Sequence, residues 1–303
     1  MPVANIQALL DSYQERRRTG VVRLAYALQK QLFFFFKRGK TLNAYLVTPE
    51  RWELQTLEQS VSWALEAGDA YTQSAALSTF GALMTKLSVE ARGETPIKVE
   101  RAALNEYFQN IQAQGQPAFL RLAWQNSAGA AFFAPNSTPH IQFLARDVLI
   151  DEPGSLKTFL DWEEDSCMTQ LFTPDLTANA WQEYFLRLAF ANIFESLMKR
   201  FEVLTGRALI DSLARMVSAF AAHQNLNVSV KARKLEDNEF FSTPQESAQK
   251  YRFLLVEIFT HFSAVIGPRL HEITVREIVS RLSPFERQVI RQFDLLPKGY
   301  VNE

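Results

Sequence analysis

The sequence predicts an α+β fold: two repeated units, each with a small antiparallel sheet and flanking helices, followed by an all-helical C-terminal domain. Three observations support this prediction. Short β-prone runs lie between helical segments, the triplet Arg23-Leu24-Ala25 recurs 98 residues later as Arg121-Leu122-Ala123, and the last third has mostly helical spacing. We place the units at residues 1–95 and 96–200 and the helical domain at residues 201–303.

Composition restricts the possible classes of protein. The chain has 303 residues, of which 47% are hydrophobic, and this length favours more than one packed core. It carries 32 basic and 33 acidic residues, so its net charge is −1. A nearly neutral chain has no overall field to attract an anionic polymer or membrane, which argues against nucleic acid as a partner.

The cellular compartment is indicated by three weak signals. Cys167 is the single cysteine, so an intramolecular disulfide is impossible and a reducing compartment is favoured. The first residues lack a basic segment followed by an apolar one, so we expect no signal peptide. The apolar run Leu32–Phe36 is too short to span a bilayer. We therefore expect a cytoplasmic protein.

The first unit is predicted to begin with a helix over 6–17, because residues 6, 9, 10 and 13 are apolar. Three β-prone runs follow at 20–26, 31–36 and 42–47. The turn Lys37–Lys40 separates the last two, and Gly39 can adopt a positive φ there. Residues 50–66 and 70–87 are predicted as helices, the second interrupted near 78–81, and Ala91–Pro96 as a linker.

The second unit repeats this order. A helix is predicted over 99–113, then strands over 118–124, 130–133 and 141–144. Aligned without a gap, Phe34-Phe35 falls on Phe132-Phe133 and Tyr45-Leu46 falls on Phe143-Leu144. Agreement through a helix, three strands and a turn at one offset indicates a duplication.

The C-terminal third contains strong helix signals. Helices are predicted over 180–201, 209–223, 244–266 and 270–282, with a last one from Ser283 to about Phe293. Thr243-Pro244 and Ser283-Pro284 each combine an N-cap residue with proline at the first helical position. The alternating segment 226–232 is a candidate strand.

The first unit resembles the PATAN family, the domain at the N-terminus of PatA-type response regulators. The residues that carry the resemblance are Phe36, Gly39, Ala44, Trp63 and Gly68, in the order aromatic strand, glycine turn, strand and tryptophan-containing helix. The resemblance implies an adaptor that binds partner proteins, in some members ATPases of surface-motility machinery, and it implies no enzymatic site.

The second unit departs from this pattern. Pro135-Asn136 stands in place of the glycine turn, and Gln142 stands in place of Ala44. It is therefore read as a degenerate copy. We recognise no receiver domain, so a phosphoryl input is not supported.

The candidate partner-binding surface of the first unit combines aromatic and basic residues. These residues are Arg18, Phe34, Phe36, Lys37, Arg38 and Lys40. The aromatic run 33–36 is either an exposed face or a central strand covered on both sides, since alternate residues of a strand point to opposite faces. The basic residues form either a phosphate-binding patch or a solvated, charged turn.

Familiar catalytic patterns are absent from the sequence. It contains no glycine-rich dinucleotide motif, P-loop, H-E-x-x-H or paired C-x-x-C. Glu257 and His261 share a helix face, but the spacing provides no third metal ligand. The acidic segment 161–165 beside Cys167 would raise a thiol pKa, which disfavours a nucleophilic cysteine. We expect no cofactor, no metal and no enzymatic activity.

These observations predict a non-enzymatic bacterial signalling or scaffold protein that acts through protein–protein interaction. The alternative is a small-ligand sensor or a transcription-linked regulator. The protein partner is not identified by the sequence. The wide apolar faces of 180–201 and 250–266 also predict self-association through the C-terminal helices.

Overall fold

The structure is a computed structural model. It describes residues 6–17, 19–26, 30–48, 52–67, 71–124, 127–135, 137–145, 148–161, 165–231, 234–297 and 300. The chain forms two compact units, residues 1–178 and 179–303. The compact unit 1–178 contains both larger sheets, and most of the compact unit 179–303 is helical. The α+β class predicted from the sequence is therefore confirmed.

The first sheet is antiparallel and has the strand order β4-β3-β2-β1-β5. Its elements are α1 (Ile6–Glu15), β1 (Gly20–Ala25), β2 (Gln31–Lys37), β3 (Lys40–Val47), β4 (Trp52–Gln55), α2 (Leu57–Ala67), β5 (Tyr71–Ala76) and α3 (Thr79–Glu90). The predicted helix over 50–66 is thus a strand followed by a shorter helix, and the predicted helix over 70–87 is β5 followed by α3.

The core of the first sheet follows the alternation of β2. Leu32, Phe34 and Phe36 point to the face that packs against Leu10 and Tyr13 of α1. The Tyr13 and Phe36 rings lie 4.9 Å apart. The neighbouring residues of β2 point to the other face, which is also buried. The aromatic run is therefore a covered central strand.

The second sheet has the order β10-β9-β8-β7-β11-β6. Its elements are β6 (Ile97–Glu100), α4 (Arg101–Ala113), β7 (Ala118–Ala123), β8 (Ser127–Phe133), β9 (His140–Ala145), β10 (Val148–Pro153), α5 (Lys157–Leu160) and β11 (Ser166–Phe172). Leu104, Phe108 and Ile111 of α4 pack on one face of this sheet.

Helix α3 contacts both sheets, at β1 and at β7. At its N-terminus the Ser78 amide donates a hydrogen bond of 2.6 Å to Asp151 Oδ2 of β10. At its C-terminus the Tyr45 hydroxyl of β3 donates a hydrogen bond of 2.6 Å to Glu90 Oε1. Each end of α3 is therefore held by a different sheet.

The compact unit 179–303 consists of helices and one hairpin. Its elements are α6 (Asn179–Thr205), α7 (Arg207–His223), β12 (Val228–Lys231), β13 (Lys234–Asp237), α8 (Pro244–Ile266), α9 (Pro268–Arg281) and α10 (Pro284–Gln292). The Thr243 hydroxyl accepts from the Glu246 amide, and Ser283 forms a capping box with Glu286, which confirms both predicted helix starts.

Two features differ from the prediction of an all-helical domain at 201–303. Strands β12 and β13 pair as an antiparallel hairpin within it. The boundary predicted between residues 200 and 201 falls inside α6, whereas the compact units divide between residues 178 and 179.

Candidate functional site

The structure separates the residues of the sequence-predicted surface. Phe34 and Phe36 are 0% exposed, so they cannot contact a partner and leave the candidate surface. Their place in β2, between β1 and β3, is the reason. Arg18 lies outside the described residues.

The basic turn, which we define as Lys37, Arg38 and Lys40, lies at the surface. Arg38 and Lys40 are exposed and Lys37 is half-buried. Arg38 has a φ of 49°, and its amide donates to the Thr19 hydroxyl over 3.2 Å. These contacts fix the turn backbone, so the three cations form a charged hairpin end.

A larger candidate site lies in the second sheet and was missed by sequence reasoning. The α4 groove, as we name it, is an open cleft of about 1660 Å³ between α4 and two connections of the sheet. On α4 it is lined by Arg101, Asn105 and Gln112, all exposed. These residues are four and seven positions apart, so they share one helix face beside the buried one. At 1.5 Å per residue the groove follows α4 for about 16 Å.

The opposite wall consists of irregular backbone. It includes the connection between β8 and β9, in which Pro135 and Pro139 lack amide protons, and the start of α5. The Gly154 amide donates to the Pro139 carbonyl over 2.9 Å and joins these two parts of the wall. Ser137, Thr138 and Ser155 add hydroxyl groups to the lining.

One end of the α4 groove is charged. Glu100, Asp161 and Asp165 contribute carboxylates, and Arg101 and Lys157 contribute cations. The Arg101 amide donates to the Asp165 carbonyl over 2.8 Å, and its Nε donates to the Leu160 carbonyl over 2.9 Å. This end is therefore held together by hydrogen bonds to backbone carbonyls. Glu100 also lies 3.4 Å from Lys98 Nζ, so the positive and negative charges at this end balance.

The described lining of the groove combines hydroxyl, amide, charged and apolar side chains, and it contains no histidine or cysteine. In the part of the chain that the structure describes, no group of three or more side chains could hold a metal. His261 Nδ1 and Glu257 Oε1 lie 3.6 Å apart on α8, where the His261 side chain is exposed and the Glu257 side chain is half-buried.

A second cluster joins α3 to the second sheet. His140 Nε2 lies 2.7 Å from Asp151 Oδ1, and the Asp151 side chain is 8% exposed. Burial raises the pKa of Asp151, but hydrogen bonds from His140 and Ser78 outweigh it and hold the pKa below its ordinary value. A Cβ at Gly81 would overlap this carboxylate. The cluster acts as a helix cap, and no local sequence pattern predicts it.

A third cluster is buried in the compact unit 179–303. Arg187 of α6 donates to the Asp237 carbonyl over 3.3 Å and to the Glu239 carbonyl. The Tyr251 hydroxyl donates to Asp237 Oδ2 over 2.5 Å, and burial together with the Asp237 charge raises the pKa of Tyr251. These contacts attach the hairpin to α6 and α8, so we interpret the cluster as structural.

The helices predicted to mediate self-association differ in exposure. Helix α6 packs against α7, α8, α9 and α10, and this packing uses most of its apolar residues. On α8, Phe253 is 50% and Val256 is 44% exposed. Self-association remains a prediction.

Among the described residues, none of the helices combines the length and the apolar character needed to cross a membrane. Comparison of the chain with protein-family models, with curated proteins and with solved structures gave no match.

Proposed function

We propose that the chain is a non-enzymatic signalling or scaffold protein that acts through protein–protein interaction. In this proposal the two sheets descend from one duplicated, PATAN-like unit, and the second copy has acquired the binding site. The first copy preserves the hairpin that carries the resemblance, and the second opens at the same hairpin.

The order of elements supports the duplication. In both halves a helix is followed by four strands, a helix and a further strand. The order β4-β3-β2-β1-β5 has its counterpart in β10-β9-β8-β7-β11, to which the second sheet adds β6. Strands β1 and β7 begin 98 residues apart, at Gly20 and Ala118.

The strand registers support the duplication and refine the alignment. Val22 lies opposite Phe34 in the first sheet, whereas Leu120 lies opposite Ala131 in the second. Phe36 therefore corresponds to Phe133, one residue earlier than the gapless alignment predicts. This one-residue shift begins in the connection after the first strand. It moves each side chain of the following strands to the opposite face from the one that the gapless alignment assigns.

The single observation that carries the function is the α4 groove itself. An open cleft of this size, lined by amide, hydroxyl and charged groups together with apolar side chains such as Phe133 and Leu160, suits a polypeptide. Small-molecule sites usually have about 300–1,000 Å³, so the volume of about 1660 Å³ favours a protein partner over the alternative of a small-ligand sensor.

The test is affinity purification of the full chain from its native host, followed by mass spectrometry. We expect at least one protein that forms a stoichiometric complex when both components are purified and mixed. Thermal-shift screening against nucleotides and metabolites runs in parallel. The proposal fails if no purified protein binds directly while a small molecule stabilises the chain or is turned over.

A further inference from the structure

The triplet that recurs in the sequence places one arginine in each of the two larger sheets. Arg23 lies in β1 and Arg121 lies in β7, and we call these two residues the arginine pair. We propose that the arginine pair binds a dianionic phosphate group. This site goes beyond the proposed function, which concerns the α4 groove.

The arginine pair is separate from the α4 groove. Leu122 of β7 belongs to the core on which α4 packs, and Leu24 of β1 belongs to the core under α1. Successive side chains of a strand point to opposite faces. Arg121 therefore lies on the face of the second sheet that points away from α4, and Arg23 lies on the face of the first sheet that points away from α1.

Helix α3 packs on the arginine-bearing face of the first sheet. Arg23 lies opposite Phe33 of β2, and Phe33 lies opposite Tyr45 of β3, so these three side chains share a face. The Tyr45 hydroxyl donates to Glu90 at the end of α3. The contact fixes α3 on the same side of the sheet as Arg23.

The same helix packs on the arginine-bearing face of the second sheet. Phe119 is two residues from Arg121 and lies opposite Phe132 of β8, so the three side chains share a face. The rings of Phe132 and of Phe80 in α3 lie 5.2 Å apart. Both sheets therefore turn their arginine towards the layer that contains α3.

Both guanidinium groups are positioned by neutral groups. Arg23 Nε donates to Gln31 Oε1 over 2.9 Å, and Arg121 Nη2 donates to Gln170 Oε1 over 2.7 Å. Each Cζ also lies 6.0 Å from the centroid of a phenylalanine ring, a distance at which a cation is attracted to the ring face. These rings are those of Phe33 and Phe172. Such contacts orient a cation without neutralising its charge.

The glutamine beside Arg121 is itself held in place. Gln170 Nε2 donates to the Glu94 carbonyl over 3.1 Å, which directs the amide oxygen of Gln170 to Arg121. A Cβ at Gly93 would lie 2.7 Å from Gln170 Nε2, so the backbone before β6 packs directly on this amide. The position of the Arg121 guanidinium is therefore determined by the fold.

Arg121 has no compensating negative charge among the described residues, since its hydrogen bond and its ring contact both involve neutral groups. It remains accessible to solvent, and Arg23 is half-buried. Protein atoms around the Arg121 guanidinium displace part of its water, and this desolvation, followed by the positive charge of Arg23, lowers the pKa of Arg121. The two cations thus repel each other, and an anion between them would remove this repulsion.

The chemistry of the arginine pair favours phosphate over a carboxylate. A guanidinium has five N–H donors in a planar fork, and the bond to Gln170 uses one donor of Arg121. A phosphate group carries up to two negative charges and three acceptor oxygens, so it can bind two guanidiniums and balance both. A carboxylate has a single charge and balances one of them.

The test is isothermal titration calorimetry of the full chain with inorganic phosphate, in a buffer without other oxyanions and at constant ionic strength. We expect saturable binding with a Kd of about 1 mM or lower. Acetate at the same ionic strength should bind at least about tenfold more weakly, because it leaves one cation unbalanced.

Matched variants locate the binding. Arg121→Gln and Arg23→Gln should each weaken phosphate binding at least about tenfold, because each removes one of the two cations. Arg121→Lys keeps the charge but loses the planar fork, so its affinity should lie between those of wild type and Arg121→Gln. Arg16→Gln removes the same charge at an exposed residue just after α1 and should change the Kd by less than about twofold. Circular dichroism confirms that each variant is folded.

The source of the phosphate group is determined with glycerol 3-phosphate as a second probe. Affinity equal to that of inorganic phosphate would show that the group can belong to a larger molecule, and weaker binding would assign the site to the free ion; both results support the site. Absence of saturable phosphate binding, equal binding of acetate, or equal effects of Arg16→Gln and Arg121→Gln would each overturn the inference. None of these outcomes affects the proposed protein–protein interaction, which has its own test.

Discussion

The hairpins β2–β3 and β8–β9 occupy the same place in the strand orders of their two sheets but end differently. In the first, Lys37 and Lys40 pair and leave a two-residue turn. Gly39 in that turn has a φ of +84°, and a Cβ there would lie 2.6 Å from the Gln14 carbonyl of α1. In the second, the last paired residues are Phe132 and His140, with seven residues between them, and the groove opens against Gln112 of α4.

The helix ends beside these hairpins show the same contrast. The end of α1 touches the turn, so only glycine fits at position 39. Beyond the end of α4, Gly115 has a φ of +64° and open space where a Cβ would lie. Gly39 therefore lets the first hairpin lie directly against α1. Pro135 and Pro139 lack the amide protons for strand pairing, so the second hairpin stays separated from α4.

The largest expected effect compares two aromatic anchors. Phe36→Ala should destabilise the first sheet by about 4 kcal/mol, because its ring is fully buried against Tyr13. Phe133→Ala should cost about 3 kcal/mol, since this residue borders the open groove and the cavity can admit water. Native-state hydrogen exchange of strand amides measures both. Equal costs would contradict a looser second hairpin.

The next effect concerns the turn itself. Gly39→Ala should cost about 2–3 kcal/mol, because alanine is strained at positive φ and its Cβ would collide with the α1 backbone. Ser137→Ala, an exposed position in the second hairpin connection, should change stability by less than about 0.5 kcal/mol. Hydrogen exchange of the two hairpins provides the comparison, and a costly Ser137→Ala would argue that the second hairpin is equally constrained.

A smaller effect depends on pH and belongs to the second sheet. The pKa of Asp151 is lowered in the folded chain, so its contribution to stability is present above its unfolded pKa of about 3.9 and is lost as pH falls through the folded value. Asp151→Asn should lower stability at pH 7 by about 1 kcal/mol through loss of the charged helix cap. Thermal unfolding at pH 7 and pH 3 measures this.

The contrast has a built-in control. By the strand registers, the first-sheet counterpart of Asp151 is Leu54, which is 53% exposed. Leu54→Asn should leave the pH dependence unchanged. If Asp151→Asn leaves it unchanged too, the carboxylate does not cap α3.

The smallest expected change in stability is also the most direct test of the contrast. Replacing Pro135, Asn136, Ser137 and Pro139 by the first-hairpin residues Arg, Gly, Lys and Leu restores amide protons and a glycine turn. We expect a gain in stability of about 0.5 kcal/mol and loss of binding of the protein partner proposed for the α4 groove. The reverse replacement in the first hairpin should create no binding, because the α1 backbone lies directly against that turn.

Much of the fold was predictable because local signals agree with tertiary packing. The four-phenylalanine run indicated a strand, although the sequence left open whether one face was exposed or both were covered. Thr243 and Ser283 marked helix starts. The helix predicted over 50–66 was wrong at its start because the four residues of β4 carry no clear period. Pairing with β3 decides their conformation.

The candidate site was less predictable. The partner-binding surface proposed from the sequence combined Phe34 and Phe36 with basic residues, although burial separates these groups. The α4 groove brings together Asn105, Ser137 and Lys157, which are far apart in the chain and follow no motif. In the sequence, Pro135-Asn136 in place of the glycine turn was the signal that this hairpin differs from the first.

The sequence by itself determined the α+β class, most helices and the recurrence of one pattern, because periodicity, caps and turn residues act over a few neighbouring positions. Tertiary structure decided the strand register, the burial of the aromatic run and the opening of the α4 groove. These depend on contacts between distant segments, and a one-residue shift in a connection changes which face each side chain occupies.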